Sequence, residues 1–150
     1  TVSFELGGCR KRYNAGLART VHLGNKKPEK LVETAKVVEE GMRAVKDTLF
    51  ANARAGDVHK AWQNVLDKCG LEKKSRIGYS IGVGYPPDWG EHTISFRPKE
   101  QTLVPKNAVV HIILGMWMDG WGMELSETLH VRKHDCMALS NFSWDIPLLG

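Results

Sequence analysis

The stretch from residue 76 to residue 98 holds the residues whose types and spacing suit chemistry best. Four glycines relax its backbone and Pro86-Pro87 stiffens it, while polar and aromatic side chains stand along the same run. The side chains that could contact a ligand here are Tyr79, Asp88, Trp89, Glu91 and His92. This mixture predicts a ligand-binding loop rather than a core element. A dinucleotide cradle is disfavoured, because two prolines stand where such a fingerprint would open into a helix.

Two other kinds of site have weaker support in the residues. Ser80 lies in Gly78-Tyr-Ser-Ile-Gly82, which matches the letters of a nucleophile elbow but leads to prolines instead of a helix. A metal-dependent hydrolase needs several carboxylates and usually a histidine at one cavity. The acids on predicted strands are Glu5, Glu124 and Glu127, and His130 and His134 are spaced for a helix rather than for the strand and turn that they occupy. A serine nucleophile and a metal site both remain minor alternatives.

Composition limits the class of protein. The chain has 150 residues, of which 42% are hydrophobic and 25% charged, enough for one domain with an ordinary core. Its net charge of +4 is scattered, which disfavours nucleic-acid binding. The three cysteines have no CxxC spacing, so neither a zinc site nor a disulfide framework is indicated. We expect a cytoplasmic protein without a membrane partner, since no apolar run approaches the roughly 20 residues that span a bilayer.

The elements that must position these residues begin with a β-hairpin. Apolar and polar residues alternate from Val2 to Leu6, Gly7-Gly8 breaks the run, and a second extended stretch runs from Arg19 to Leu23. This pattern predicts two strands joined by an irregular connection.

Two helices follow. From Pro28 an apolar face recurs at steps of three and four, so one helix is predicted to begin there and to end before Gly56. Asp57 is predicted to cap a second helix that stops at Gly70. We expect the methionine and tryptophan residues of these helices in the core.

Strands return after the glycine-rich stretch. The predicted strands are Thr93 to Phe96, Val109 to Gly115, Gly122 to Val131 and Met137 to Leu139. Met118-Asp119-Gly120 predicts a hairpin turn between the second and third of them. A strand pair, a helix pair and an antiparallel set together predict an α+β domain.

Several of these motifs together resemble a known family. In chain order they are Phe4-Glu-Leu-Gly-Gly8, Arg12-Tyr13, Arg19-Thr20, Gly78-Tyr-Ser-Ile-Gly82, His111-Ile-Ile-Leu-Gly115 and Ser126-Glu-Thr128. They resemble the catalytic domain of creatinase and the proline-specific aminopeptidases, the pita-bread fold of peptidase family M24. The string from Tyr85 to His92 is similar to the Xaa-Pro peptidase-like and ectoine hydrolase-like branch.

The resemblance implies a pita-bread fold in which helices cover the outer face of a curved antiparallel sheet. It also implies that residues 1–150 form a single catalytic domain, truncated at its N-terminus, without the family's upstream part or any N-terminal domain.

The resemblance also implies where metal ligands would lie. Metal-using members hold two ions with two aspartates, one histidine and two glutamates, and overlaying the motifs puts these ligands at Glu5, Gly16, Tyr79, Leu114 and Ser126. One acid of the set remains, so we expect no metal and no cofactor. Creatinase, which works without metal through an acid/base histidine, is then the nearer analogy, although that histidine belongs to a segment upstream of Thr1.

We expect the pocket beneath residues 84 to 92, with Tyr79, His111 and Glu127 on its floor, because glycines relax the backbone there and polar groups converge. We expect His111 to donate a proton near neutral pH, although a hydrogen-bonded core histidine is an equal alternative. The predicted catalytic residues are His111, Glu127, Glu91 and His92. The predicted substrate-binding residues are Tyr79, Asp88, Trp89, Trp117, Arg19 and Glu5. Core packing of the tryptophans and a structural salt bridge at Arg19 are the alternatives for those residues.

The expected function is hydrolysis of a C–N bond in a small amide or amidine, without the two-metal site. One alternative is an Xaa-Pro dipeptidase or aminopeptidase with metal ligands elsewhere, and another is an inactive remnant that acts as a binding domain. The expected partners are a small-molecule or dipeptide substrate and further copies of the chain. Self-association is expected because a sheet that lacks its upstream strands exposes an edge.

Overall fold

The computed structural model, which describes residues 1–84 and 88–150, begins with a long hairpin. β1 (Val2–Arg10) and β2 (Tyr13–Leu23) pair antiparallel without interruption. Their turn consists of Lys11 and Arg12, both at positive φ (52° and 72°), as in a tight two-residue hairpin turn. The predicted break and irregular connection are therefore wrong, because Gly7-Gly8 stays within β1. A Cβ at Gly7 would overlap the indole of Trp89, so glycine here allows close approach rather than a turn.

Two helices follow the hairpin, α1 (Glu29–Thr48) and α2 (Ala55–Cys69). The start after Pro28 and the stop at Gly70 (φ 64°) are confirmed. Asp57 does not cap α2. Arg54 is the N-cap residue, and the carbonyls of Glu100 and Thr102 accept the first helical N–H groups. In the part of the chain that the structure describes, no helix is both long and apolar enough to cross a membrane.

The described part of the chain contains six further strands. They are β3 (Gly78–Ile81), β4 (Gly90–Ser95), β5 (Val109–Met118), β6 (Trp121–Val131), β7 (Cys136–Ala138) and β8 (Leu148–Leu149). Five form an antiparallel sheet in the order β4-β3-β5-β6-β7, and β8 joins the hairpin in the order β1-β2-β8. The predicted strands are confirmed with shifted ends, and so is the turn at Gly120 (φ 72°). Two short strands were missed, β8 and β3, and β3 lies inside the stretch predicted as a loop.

The α+β prediction is confirmed, and the sheet is layered between helices and hairpin. On β5 the even-numbered residues 110 to 116 belong to the hydrophobic core shared with α1 and α2, which contains Met42 and Trp62 as expected. On β6 the core face carries the odd-numbered residues 123, 125, 129 and 131. The opposite face of both strands carries odd-numbered residues of β5 and even-numbered residues of β6, and it faces β2. That face holds the candidate site.

Candidate functional site

Two hydroxyl side chains of β6 hold β2 against the five-stranded sheet. The Gly16 N–H donates to Thr128 Oγ1 (3.0 Å), and the same hydroxyl donates back to the Gly16 carbonyl (2.8 Å). The Ala18 N–H donates to Ser126 Oγ (2.6 Å). Because all of these atoms are buried, the seam fixes β2 over residues 126 and 128. The position of β2 relative to β6 is therefore fixed on both sides of residue 17.

His111 lies in this seam and is fully buried (0% exposed). Its Nε2 is 2.8 Å from Ser126 Oγ, and its Nδ1 is 3.4 Å from the Tyr79 hydroxyl. A Cβ on Gly16 would come within 2.6 Å of the ring, so the imidazole fills the space that a side chain at position 16 would need. Burial lowers the pKa of His111 to about 4. The predicted proton donor is therefore neutral at pH 7, which corrects the expectation of an imidazolium acid.

Tyr79 and Trp89 close the other side of His111. The Trp89 indole N–H donates to the Tyr79 hydroxyl (2.8 Å), and both rings meet His111 edge-on with centroids 5.7 and 6.3 Å away. Burial raises the pKa of Tyr79, so its hydroxyl keeps its proton at neutral pH. The hydroxyl already accepts from Trp89 and can donate that proton to His111 or to a ligand. The structure thus brings together three of the predicted site residues.

A charged group lies farther along the same face. Glu124 pairs with Gly115 across β5 and β6, and the Lys73 ammonium donates to the Gly115 carbonyl (3.0 Å). Burial and the negative charge of Glu5 raise the pKa of Glu124, and burial lowers the pKa of Lys73. Glu124 was predicted only as one acid of the minor metal-site alternative, and Lys73 was missed. Alternation of Glu124 with Ser126 and Thr128 on one face of β6 was the signal that could have found the acid.

Only some of the metal positions implied by the resemblance lie beside His111 in the structure. Gly16 and Ser126 do meet at His111, but Leu114 is wrong, because it lies in the core beneath the helices. Its neighbour Ile113 pairs with Ser126 and faces the site, so the overlay was one residue out of register. Glycine, isoleucine and serine supply no carboxylate for a divalent cation. Within residues 1–84 and 88–150, no group of three or more histidine, cysteine or acidic residues is placed to hold a metal. These residues do not fit a two-metal centre.

Glu127 lies on the opposite side of the sheet from His111, so its predicted place on the pocket floor is wrong. It pairs with Ile112, which faces the helices. Its carboxylate forms an ion pair with Arg19 and accepts hydrogen bonds from Ser140 Oγ (2.7 Å) and Trp144 Nε1 (2.8 Å). The cause is the period of two along β6, which sends neighbouring residues to opposite faces. Glu127 therefore anchors the segment after β7.

Arg19 is structural rather than a clamp for a substrate carboxylate. Its guanidinium has five N–H donors, and the structure gives it five acceptors. These are the Glu127 carboxylate and the carbonyls of Ala18, Ser126, Phe142 and Ser143. No donor is left for a ligand, so the salt-bridge alternative is the one that the structure supports.

Three of the other predicted site residues lie at the surface, Glu91 and His92 in β4 and Asp88 just before it. His92 Nε2 lies 2.7 Å from Asp88 Oδ2, and Asp88 Oδ1 accepts the Gly90 N–H, with both side chains more than half exposed. Glu91 packs against Gly82. None of these contacts of Asp88, Glu91 and His92 is made with His111. Pro86-Pro87 and Tyr85 lie outside the described residues.

Trp117 is not brought to the site. It shares a face of β5 with His111 but lies six residues farther along, which is about 20 Å in a strand. Its ring covers Gly115 and Gly122 and is 65% exposed. The structure thus leaves Trp117 at the far end of the sheet.

Acid is expected to destabilise the fold through His111. The His111 imidazole binds a proton near pH 6.5 in the unfolded chain but only near pH 4 in the folded chain. The free energy of unfolding therefore rises with pH between these values, and this contribution is lost as the pH falls through them. The full contribution is about 3 kcal/mol. Urea unfolding at several pH values should show the loss, and His111→Gln should lack this part of it. A His134→Gln control, at an exposed histidine, should follow the parent chain. Equal pH dependence in the parent and His111→Gln would contradict the buried neutral imidazole.

Comparisons with known proteins agree with this architecture. Residues 1–133 match the model of metallopeptidase family M24. The chain is 35% identical over 140 residues to an ectoine hydrolase of Halomonas elongata, covering 93% of this chain and 35% of that protein. It is 33% identical over 130 residues to an uncharacterised hydrolase/peptidase of Sinorhizobium fredii, covering 87% of this chain and 33% of that one. The chain thus spans about a third of the length of these relatives.

A solved structure shows the same fold at lower identity. The X-Pro aminopeptidase of Thermotoga maritima superposes with a TM-score of 0.88 at 17% identity, over 98% of this chain and 40% of that one. The expected fold and family are therefore confirmed. The chain belongs to metallopeptidase family M24, a family of hydrolases, and has the pita-bread fold.

Proposed function

We propose that this chain is part of a hydrolase that cleaves a C–N bond in a small amide or cyclic amidine, with ectoine as the first substrate to test. The similarity to an ectoine hydrolase supports the substrate class. The observation that carries the mechanism is the buried imidazole of His111 in the space above Gly16, where the family overlay expects a metal-binding aspartate. We propose that acid–base groups replace the two-metal centre.

Hydrogen bonding in the seam supports a neutral donor at His111. Ser126 Oγ accepts the Ala18 N–H, so its own proton can go to His111 Nε2, which places the imidazole proton on Nδ1. That proton points towards the Tyr79 hydroxyl. The Tyr79 hydroxyl, which accepts from Trp89 and from His111, would then direct its own proton to the negative charge that develops as water adds to the substrate carbon.

Glu124 of β6 and Glu5 of β1, whose charges act on each other, supply a candidate base. The pKa of Glu124 is raised towards neutral pH. A carboxylate with a higher pKa is a stronger base, so it accepts a proton from water more effectively. In the proposed reaction the water oxygen bonds to the substrate carbon, and its proton passes to Glu124 or to Glu5. The C–N bond then breaks as the leaving nitrogen takes up that proton. Two carboxylates would also attract a cationic amidinium.

A panel of three substrates tests the proposal. Ectoine, creatine and an Xaa-Pro dipeptide are incubated with this chain, and cleavage of the C–N bond is followed by proton NMR. We expect ectoine to be cleaved. Cleavage of the dipeptide alone would favour the Xaa-Pro peptidase alternative, and cleavage of none would favour the binding-domain alternative.

Self-association stays a prediction. β1 is an edge strand of its sheet, and its residues are exposed, including the apolar side chains of Val2, Phe4 and Leu6. An exposed edge with apolar side chains is a template for pairing with another chain. This is the feature that supports further copies of the chain as partners.

A further inference from the structure

A cavity lies against α2 in the helix layer, on the other side of the core from His111. It has a volume of about 690 Å³, within the range of small-molecule sites. One face of α2 forms one wall and the turn at residues 98–101 forms the other. The residues of α2 that line it are Gly56, Asp57, His59, Lys60 and Gln63, at helical spacing.

The two walls are fixed to each other by polar contacts. The Gly56 N–H donates to the Glu100 carbonyl (3.0 Å), and a Cβ on residue 56 would lie 2.6 Å from that oxygen. The Glu100 carboxylate accepts from the N–H (3.1 Å) and hydroxyl (2.8 Å) of Thr102. Arg54 donates to the Gln101 side chain. The cavity is therefore a formed part of the fold, and these groups are already engaged within its walls.

His59 is the nearly buried polar side chain of this cavity. It is 5% exposed, and within residues 1–84 and 88–150 no hydrogen bond joins its ring to another residue. Burial lowers the pKa of His59, as does the positive charge of Lys73, so the imidazole is neutral at pH 7. Its ring nitrogens are not among the described side-chain atoms that are closed off from solvent without a partner, so they are accessible from the cavity. A ligand in the cavity would supply the missing bond.

Charges at the rim indicate which ligand. Lys60 and Lys99 are exposed, and no ion pair joins either ammonium to the described residues. The residues that line the cavity include the cations Arg54, Lys60 and Lys99 and the acids Asp57 and Glu100. Positive charge therefore exceeds negative charge at the rim, which favours an anion. Pro98 and the carbon chains of the lysines add apolar surface.

We propose that this cavity binds a small organic carboxylate, which accepts a hydrogen bond from the His59 ring and is attracted by Lys60 and Lys99. The carbon part of the ligand lies against Pro98 and the lysine stems. This site is separate from the seam that holds His111 and does not depend on the proposed hydrolysis.

The test is an NMR titration of the chain with benzoate, its neutral analogue benzamide and inorganic phosphate. Saturable shifts of the Gly56 and Lys99 amide signals are expected with benzoate, with at least about 10-fold weaker binding of the other two. His59→Leu should bind benzoate about 10-fold more weakly without losing thermal stability, because an apolar residue replaces an unpartnered polar one. Lys99→Gln should also weaken binding, and the exposed Lys133→Gln should leave it unchanged.

Three results would overturn the proposal. They are the absence of saturable shifts with benzoate, equal affinity for benzoate and phosphate, and unchanged benzoate affinity in His59→Leu. The second result would mean that the rim attracts charge without recognising a carboxylate. Because the readout is binding, none of them bears on the hydrolase activity.

Discussion

Replacing His111 by alanine is expected to lower turnover of the proposed substrate by about 10²-fold or more, the scale for losing one preorganised donor. His111 Nδ1 lies 3.4 Å from the Tyr79 hydroxyl and orients it as a donor, and His111 Nε2 is fixed by Ser126. The loss should appear in kcat more than in KM, because the donor acts on charge that develops in the transition state. Steady-state kinetics with ectoine measure both constants.

Two further variants separate chemistry from folding. His111→Gln keeps an N–H donor of similar reach, so it should recover part of the lost kcat. Thr93→Ala serves as the matched control, because it removes a polar group from the same sheet at a position that contacts Ser80 rather than His111. Parent-level kcat in His111→Ala, with the fold intact by circular dichroism, would place the chemistry elsewhere and leave His111 as a core histidine.

Replacing Glu127 by alanine is expected to lower the free energy of unfolding by about 3 to 5 kcal/mol, the cost of leaving a buried charge without its partner. The side chains of Glu127 and Arg19 are only 1% and 14% exposed. Ser140 and Trp144 would lose their acceptor in the same variant. Urea unfolding measures the loss, and kcat per folded molecule should stay at the parent value.

Controls for Glu127 use a surface pair and a double variant. Glu39→Ala breaks an exposed ion pair with Arg43 and should cost less than about 1 kcal/mol. Replacing Arg19 and Glu127 together by Met and Leu should cost less than Glu127→Ala alone, because no unpaired charge remains. A large loss of kcat in Glu127→Ala at unchanged stability would restore the catalytic role predicted from the sequence.

The spacing of apolar residues predicted the helices and most of the strands, because each element must present one apolar face to the core. The apolar stripe after Pro28 and the alternation along β5 and β6 each reflect burial against the same cluster, so α1 and both strands were found. β3 was missed because its glycines resemble a loop. There is no room for a side chain at Gly78, because a Cβ there would lie 2.5 Å from the His111 carbonyl oxygen in the neighbouring strand.

The candidate site was predictable only in part. The motifs identified Tyr79, Trp89 and His111, which do meet, but placed Glu127 on the wrong face and Leu114 one residue out of register. A shift of one residue along a strand moves a side chain from the face of the site to the face of the core. A sequence motif alone does not show which residues lie on which face. The lowered pKa of His111 depends on β2 covering β5 and β6, residues nearly one hundred positions away along the chain. Such long-range burial has no local sequence signal.

The central claim is that this family member works without the two-metal centre, and metal dependence tests it most directly. The chain is stripped with chelator, its metal content is measured by elemental mass spectrometry, and ectoine turnover is compared before and after addition of manganese, cobalt or zinc. We expect metal far below one ion per chain and the same turnover in every sample, because the donor set within the described residues holds too few carboxylates. A stoichiometric metal whose removal abolishes turnover and whose return restores it would contradict the account.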